Sequence, residues 1–151
     1  RIMISTALVE KPKLVIADEP TPGLDPKLAK RAMEHFRQLA DMGAAVLVIT
    51  HDLELALETV DRVQVFYAGH TIEDASVDDF EREETLRHPY TRALWRAMPK
   101  HGFHYIGGVQ PYVKDNLQGC PFAPRCDMAS RECQGEIPWK VSGSGYVRCI
   151  L

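Results

Sequence analysis

The chain has 151 residues, 45% hydrophobic and 26% charged, and 18 Lys and Arg stand against 21 Asp and Glu for a formal net charge of −3. That balance excludes intrinsic disorder, since enough apolar side chain is present to offset the ordering entropy. It also excludes nucleic acid as a partner held by bulk charge, and no apolar run reaches the roughly 18 residues needed to cross a bilayer. The first residue is Arg1 rather than Met, so the chain is expected to be a piece of a longer protein.

Residues 1–10 read as the end of a helix closed by Pro12. Leu14-Val15-Ile16-Ala17 follows, a short run without alternation that suits a strand buried on both faces, and it stops in Asp18-Glu19-Pro20. Asp25-Pro26 reads as an N-cap and first helical position. Leu28, Ala29, Ala32, Met33, Phe36, Leu39 and Ala40 then recur at helical spacing until Gly43. Ala44–Thr50 is a second buried strand, so strand, helix and strand form a crossover unit and predict a parallel sheet. A short helix is expected around Leu53–Val60, then a hairpin from Arg62–Tyr67 through Ala68-Gly69 into Thr71-Ile72-Glu73, and a helix over His88–Met98. From Lys100 glycines and prolines cluster and periodicity fades. All four cysteines fall in this loop-rich appendix, which promises no large core of its own.

The chemistry concentrates where the strands end. Open α/β sheets bind ligands beyond the carboxyl ends of their strands. Hydrolysis of a nucleoside triphosphate needs a Mg²⁺ ligand and a group that orients the attacking water. Asp18 suits the first task, through a coordinated water, and Glu19 the second. Gly23-Leu24-Asp25 supplies a further carboxylate on a turn. His51, at the end of the second strand, is able to donate to a γ-phosphate oxygen and to the water. Each residue alone also reads as a solvated strand end or a cap. Two neighbouring strands that both end in suitable groups outweigh that reading.

Val15–Asp25 together with Ile49-Thr50-His51-Asp52 resembles the second half of an ABC-transporter ATPase. The resemblance implies an α/β fold: the C-terminal half of a P-loop ABC ATPase domain, with parallel strands, a crossover helix and a hairpin, over residues 1–99. A cysteine-containing C-terminal extension would occupy residues 100–151. It makes Leu14–Asp18 the Walker B strand, Glu19 the catalytic glutamate and His51 the switch histidine. Pro22–Asp25 becomes the D-loop, with Asp25 beside the nucleotide and communicating across a dimer of nucleotide-binding domains. ATP and Mg²⁺ are the implied cofactors. No Gly-x-x-x-x-Gly-Lys-Ser/Thr cradle, glutamine loop or Leu-Ser-Gly-Gly signature occurs in these 151 residues, so the chain alone is expected to be inactive.

Tyr67-Ala68-Gly69, His88-Pro89-Tyr90-Thr91-Arg92-Ala93-Leu94 and Gly119–Cys126 narrow the resemblance to the oligopeptide/dipeptide importer subfamily. Its implied partners are a second ABC ATPase subunit, transmembrane permease subunits and, indirectly, an extracytoplasmic substrate-binding protein. Its implied location is peripheral, on the cytoplasmic face of the cell membrane. Two alternatives are a non-transport ABC-type ATPase and a truncated metal-binding or interaction module. The first of these would lead to coiled-coil heptads rather than to residues 88–94 and a cysteine-rich tail.

Cys120, Cys126, Cys133 and Cys149 are spaced C-x₅-C, C-x₆-C and C-x₁₅-C, without the C-x₂-C pair of a zinc ribbon. A segment with so little core gains most from a metal staple. Arg125, Arg131 and Arg148 lie beside three of the cysteines and would offset thiolate charge. The subfamily resemblance also implies a [4Fe–4S] cluster as an occupant, with Zn²⁺ or unligated thiols as the alternatives.

Overall fold

The computed structural model describes residues 12–112 and 118–151. The helix expected over residues 1–10 lies outside them. The chain divides into two compact units, residues 1–60 and 61–151.

In the first unit, β1 (Leu14–Asp18) and β2 (Ala45–Ile49) pair in parallel, with Leu14 opposite Ala45 and Asp18 opposite Ile49. The crossover is α1 (Pro26–Asp41), and α2 (Leu53–Leu57) follows β2. Asp25 caps α1: its Oδ1 accepts from the Lys27 and Leu28 amides at 3.1 Å each. At the other end Gly43, at φ +96°, donates to Ala40 O, while the Ala44 amide donates to Leu39 O. That pair of bonds satisfies the last carbonyls of the helix. Met33, Phe36 and Leu39 form the core of the unit against Val15, Ala17, Val46, Val48 and Leu55. Burial of each such side chain contributes on the order of 2 kcal/mol.

One expectation needs correcting here. The strands are not buried on both faces: Leu14, Ile16, Leu47 and Ile49 remain 48% to 61% exposed. Among the described residues, the crossover helix covers only the side carrying Val15, Ala17, Val46 and Val48. The apolar residues of opposite parity therefore form a second, uncovered face.

In the second unit, β3 (Arg62–Tyr67) and β4 (His70–Ser76) form the expected antiparallel hairpin. Its register slips between Val65 and Phe66, since Val65 faces Glu73 while Phe66 faces Thr71. Ile72 is thus the extra residue of a β-bulge, and both it and Glu73 are buried. α3 (Pro89–Ala97) follows, capped by His88.

The segment beyond Lys100 is loop-rich, yet it is built into this unit's sheet. β5 (Lys140–Ser142) and β6 (Gly145–Val147) give a strand order of β3-β4-β6-β5. Asp74 pairs with Tyr146, and Glu73 with Val147. The tail's Phe122, Cys133, Ile137, Val147 and Cys149 are buried, as are the unit's earlier Tyr67, Ile72, Leu86 and Met98.

Candidate functional site

At the carboxyl edge of the parallel pair, β1 ends in Asp18, whose side chain is exposed. Glu19 follows in a left-handed backbone conformation, φ +45°. A non-glycine residue there stores strain on the order of 1 kcal/mol and persists only where its surroundings hold it. The holding contact is the Glu19 amide, which donates to Ile49 O at 2.8 Å and extends the ladder by one bond. The turned backbone brings Glu19 Oε1 to 2.9 Å from His51 Nδ1. Beside it Asp52 starts α2, its Oδ1 accepting the Leu55 amide at 3.0 Å.

The structure thus joins Glu19 to His51 and sets Asp18 next to Glu19 at the same strand end. Asp25 sits apart in role. It follows the turn closed by the Leu24 amide to Thr21 O, and its Oδ1 is engaged in capping α1.

The hydrogen bond and negative charge of Glu19 hold the His51 imidazolium above its ordinary pKa of 6.5, and Asp52 adds to the effect. The imidazolium contact is therefore fully present below that value and is lost as pH rises through the elevated one. His51 should accordingly titrate above 6.5 by proton NMR and fall back towards it in a Glu19→Gln variant. Equal midpoints in the two proteins would contradict the contact.

The second candidate site lies within residues 88–151. Cys120, Cys126, Cys133 and Cys149 all line one cavity of about 10 Å³, together with His88, Pro89, Ala123 and Met128. That is room for a single water. All four cysteines are free thiols, with Cys133 and Cys149 buried. Burial pushes the Cys120 thiol up, as do Cys149 and Cys133, while the backbone N–H groups of Phe122 and Ala123 pull it the other way. Cys126 is likewise raised by burial and partly offset by the Met128 N–H.

Gly119, at φ +87°, makes this arrangement possible. A Cβ there would lie 2.1 Å from Cys133 O, the carbonyl that accepts the Cys120 amide at 2.8 Å. Among the described residues no three His, Cys, Asp or Glu side chains converge on a position for one metal ion. Zn²⁺ would need its sulfurs within about 2.3 Å of a common point, and this arrangement does not present that geometry.

The flanking arginines differ from expectation. Arg125 donates to Gly107 O, Ile106 O and Tyr67 Oη, and Arg148 to Ile137 O, so their guanidinium groups serve carbonyls and a phenol. Neither lines the cavity.

Two residues of this unit escaped the sequence reading. His88 is fully buried; its Nδ1 accepts the Tyr90 amide at 3.0 Å, and its Nε2 lies 3.7 Å from Cys120 Sγ. Burial pushes its pKa down to about 4. Glu73 is fully buried too, and accepts the Arg87 amide at 2.9 Å and the His88 amide at 2.8 Å. The one available signal was a glutamate inside a strand, beside an isoleucine where alternation fails.

Among the described residues no helix is long and apolar enough to cross a membrane. Residues 72–133 match the family described as "Oligopeptide/dipeptide transporter, C-terminal region". A protein of Sinorhizobium fredii named as a probable peptide ABC transporter ATP-binding protein is 43% identical over 145 residues, covering 91% of this chain and 43% of its own length. The dipeptide transport ATP-binding protein DppD of Haemophilus influenzae is 38% identical, covering 99% of this chain and 47% of its own length. For the oligopeptide transport ATP-binding protein AppD of Bacillus subtilis the identity is 39%, with coverages of 100% and 48%. The chain thus spans somewhat under half the length of these relatives. With a parallel pair ending in Asp18-Glu19 and His51, and with this similarity along nearly all its length, the chain is similar to the C-terminal part of oligopeptide/dipeptide ABC-transporter ATP-binding proteins.

Proposed function

We propose that the protein to which these residues belong is the ATP-hydrolysing subunit of a peptide importer. Its partners are a second ATPase subunit and membrane-embedded permease subunits, with an extracytoplasmic binding protein delivering the peptide. It docks peripherally on the cytoplasmic face. Residues 1–99 supply half of the ATPase and residues 100–151 an extension whose strands complete the hairpin's sheet.

The observation that carries the reading is the 2.9 Å contact between Glu19 and His51 at the carboxyl edge of two parallel strands. Glu19 is the carboxylate that orients the attacking water. With its Nδ1 engaged by Glu19, His51 keeps Nε2 for a γ-phosphate oxygen. Only the imidazolium has a proton on both nitrogens, so the elevated pKa preserves the Nε2–H donor. Asp18, exposed at the end of β1, is the residue that would hold Mg²⁺, which supplies charge neutralisation of the phosphates when bound. Asp25 sets the start of α1 and the turn before it, where a facing ATPase subunit is read. The 151 residues contain no phosphate cradle, and by themselves they are proposed to be inactive.

The four cysteines are read as the ligands of a [4Fe–4S] cluster, the group that the subfamily resemblance implies, although the cavity of about 10 Å³ that they line has room for a single water as it stands. What supports this is that all four line one cavity and that backbone N–H groups already point at Cys120 and Cys126. In a [4Fe–4S] cluster each thiolate binds a different iron, so the four sulfurs surround one centre at a greater distance than the ligands of a single zinc ion. Cys120, Cys126, Cys133 and Cys149 would hold the group, which when bound would cross-link four separate points of the extension.

Reconstitution of the complete ATP-binding protein with its permease in vesicles tests the transport reading. Peptide-loaded binding protein should stimulate ATP hydrolysis and drive peptide uptake. Hydrolysis indifferent to permease and peptide would overturn it.

A further inference from the structure

The side chain of His88 has two contacts, and only one of them explains why the residue is histidine. Its Nδ1 accepts the Tyr90 amide and caps α3. Asn, Asp or Ser would cap as well. A ring nitrogen that accepts an N–H cannot carry a proton itself, so in the neutral ring the proton sits on Nε2. That nitrogen is 3.7 Å from Cys120 Sγ, within reach of an N–H···S hydrogen bond. The ring has no freedom to turn away. It is fully buried, its own amide is held by Glu73 Oε2 at 2.8 Å, and the Phe122 ring packs at 6.0 Å.

We propose that His88 is a positioning residue of the four-cysteine site, fixing the Cys120 sulfur by donating its Nε2 proton to it. The proposal rests on the cluster reading for its effect, though not for its geometry. Cys120 receives the Phe122 and Ala123 N–H groups as well, so it is the most heavily donated of the two part-exposed sulfurs; Cys126 has only the Met128 N–H. Donors to a ligating sulfur stabilise the more negative, reduced cluster and raise its reduction potential. His88 therefore ties the start of α3 to the electronic state of the site.

The test uses the complete protein, purified anaerobically and reconstituted with iron and sulfide. His88→Asn keeps an oxygen for the Tyr90 amide and removes the Nε2 donor; His88→Gln retains an amide N–H near the Nε2 position. Iron content equal to wild type is expected in both, with a more negative midpoint potential in His88→Asn and partial recovery in His88→Gln. Equal potentials at equal iron content would overturn the proposal. Wild-type protein that takes up no iron would defeat the cluster reading instead. The proposal would then be decided in metal-free protein by ¹⁵N NMR of the His88 ring, where the site of the proton is read in wild type and its response in Cys120→Ala. A proton on Nε2 whose signal moves in Cys120→Ala upholds it; a proton on Nδ1, or no response to Cys120→Ala, overturns it.

Discussion

Glu19→Gln in the complete ATP-binding protein is expected to leave ATP binding near the wild-type level and to lower turnover roughly 10²- to 10⁴-fold, the range for loss of a positioned general base. The substitution preserves shape and removes the charge. Glu19 Oε1 faces His51 Nδ1, and an amide oxygen can still accept from that nitrogen, so the strand-end geometry survives. What is lost is the carboxylate that orients water and the negative charge that favours the protonated form of His51. Both losses act mainly on the chemical step, so kcat falls far more than nucleotide affinity, to which His51 is one contributor among the groups that contact the phosphates. Equilibrium binding and single-turnover hydrolysis separate the two quantities. Turnover within a few-fold of wild type would remove Glu19 from the role assigned to it. Glu19→Ala should be at least as slow, and it also relieves His51 of its partner, so any limb of the pH profile due to His51 should move down towards 6.5.

The strand-end site was legible because its residues are neighbours in sequence and the strands bearing them are short apolar runs. Asp18 and Glu19 end one run and His51 the other, and a crossover helix with a clear cap at Asp25 makes the two parallel. What sequence could not supply was the left-handed turn at Glu19, a local strain held by one bond to Ile49 O. The absence of alternation in β1 and β2 also misled. It signals apolar side chains on both faces, whereas among the described residues the crossover helix covers only one of them.

The second unit was harder for a different reason. Its sheet is assembled from β4 and a strand some 70 residues further on, and β5 and β6 are three residues each, too short to show a period. The placing of the four cysteines along one cavity depends on such long-range pairings and on the close approach at Gly119, neither of which spacing reveals. His88 and Glu73 were hidden by the same cause. The bulge at Ile72 breaks the two-residue alternation that would have placed Glu73 on the inner face, and His88 meets Cys120 across 32 residues of sequence.

Glu73 is where the largest loss of stability is expected. Its carboxylate accepts the consecutive amides of Arg87 and His88, and Arg87 Nη1 lies 3.5 Å from the same Oε1. Arg87 is itself mostly buried and has a second carboxylate in Asp79, 3.0 Å from Nη1. Glu73→Ala leaves two buried amides without acceptors and leaves Arg87 with one carboxylate instead of two. Breaking a buried pair of this kind costs about 3–5 kcal/mol. For a unit of this size each kcal/mol lowers the melting temperature by about 4–8 °C, so a fall of roughly 10 °C or more is expected. Glu73→Gln should cost less, because one oxygen remains, but its amide group must then face one of the two N–H donors. Amide exchange gives the local readout: protection at Arg87 and His88 should drop in both variants, and further in Ala than in Gln. An unchanged melting temperature with both amides still protected would show that the carboxylate does not hold the segment leading into α3.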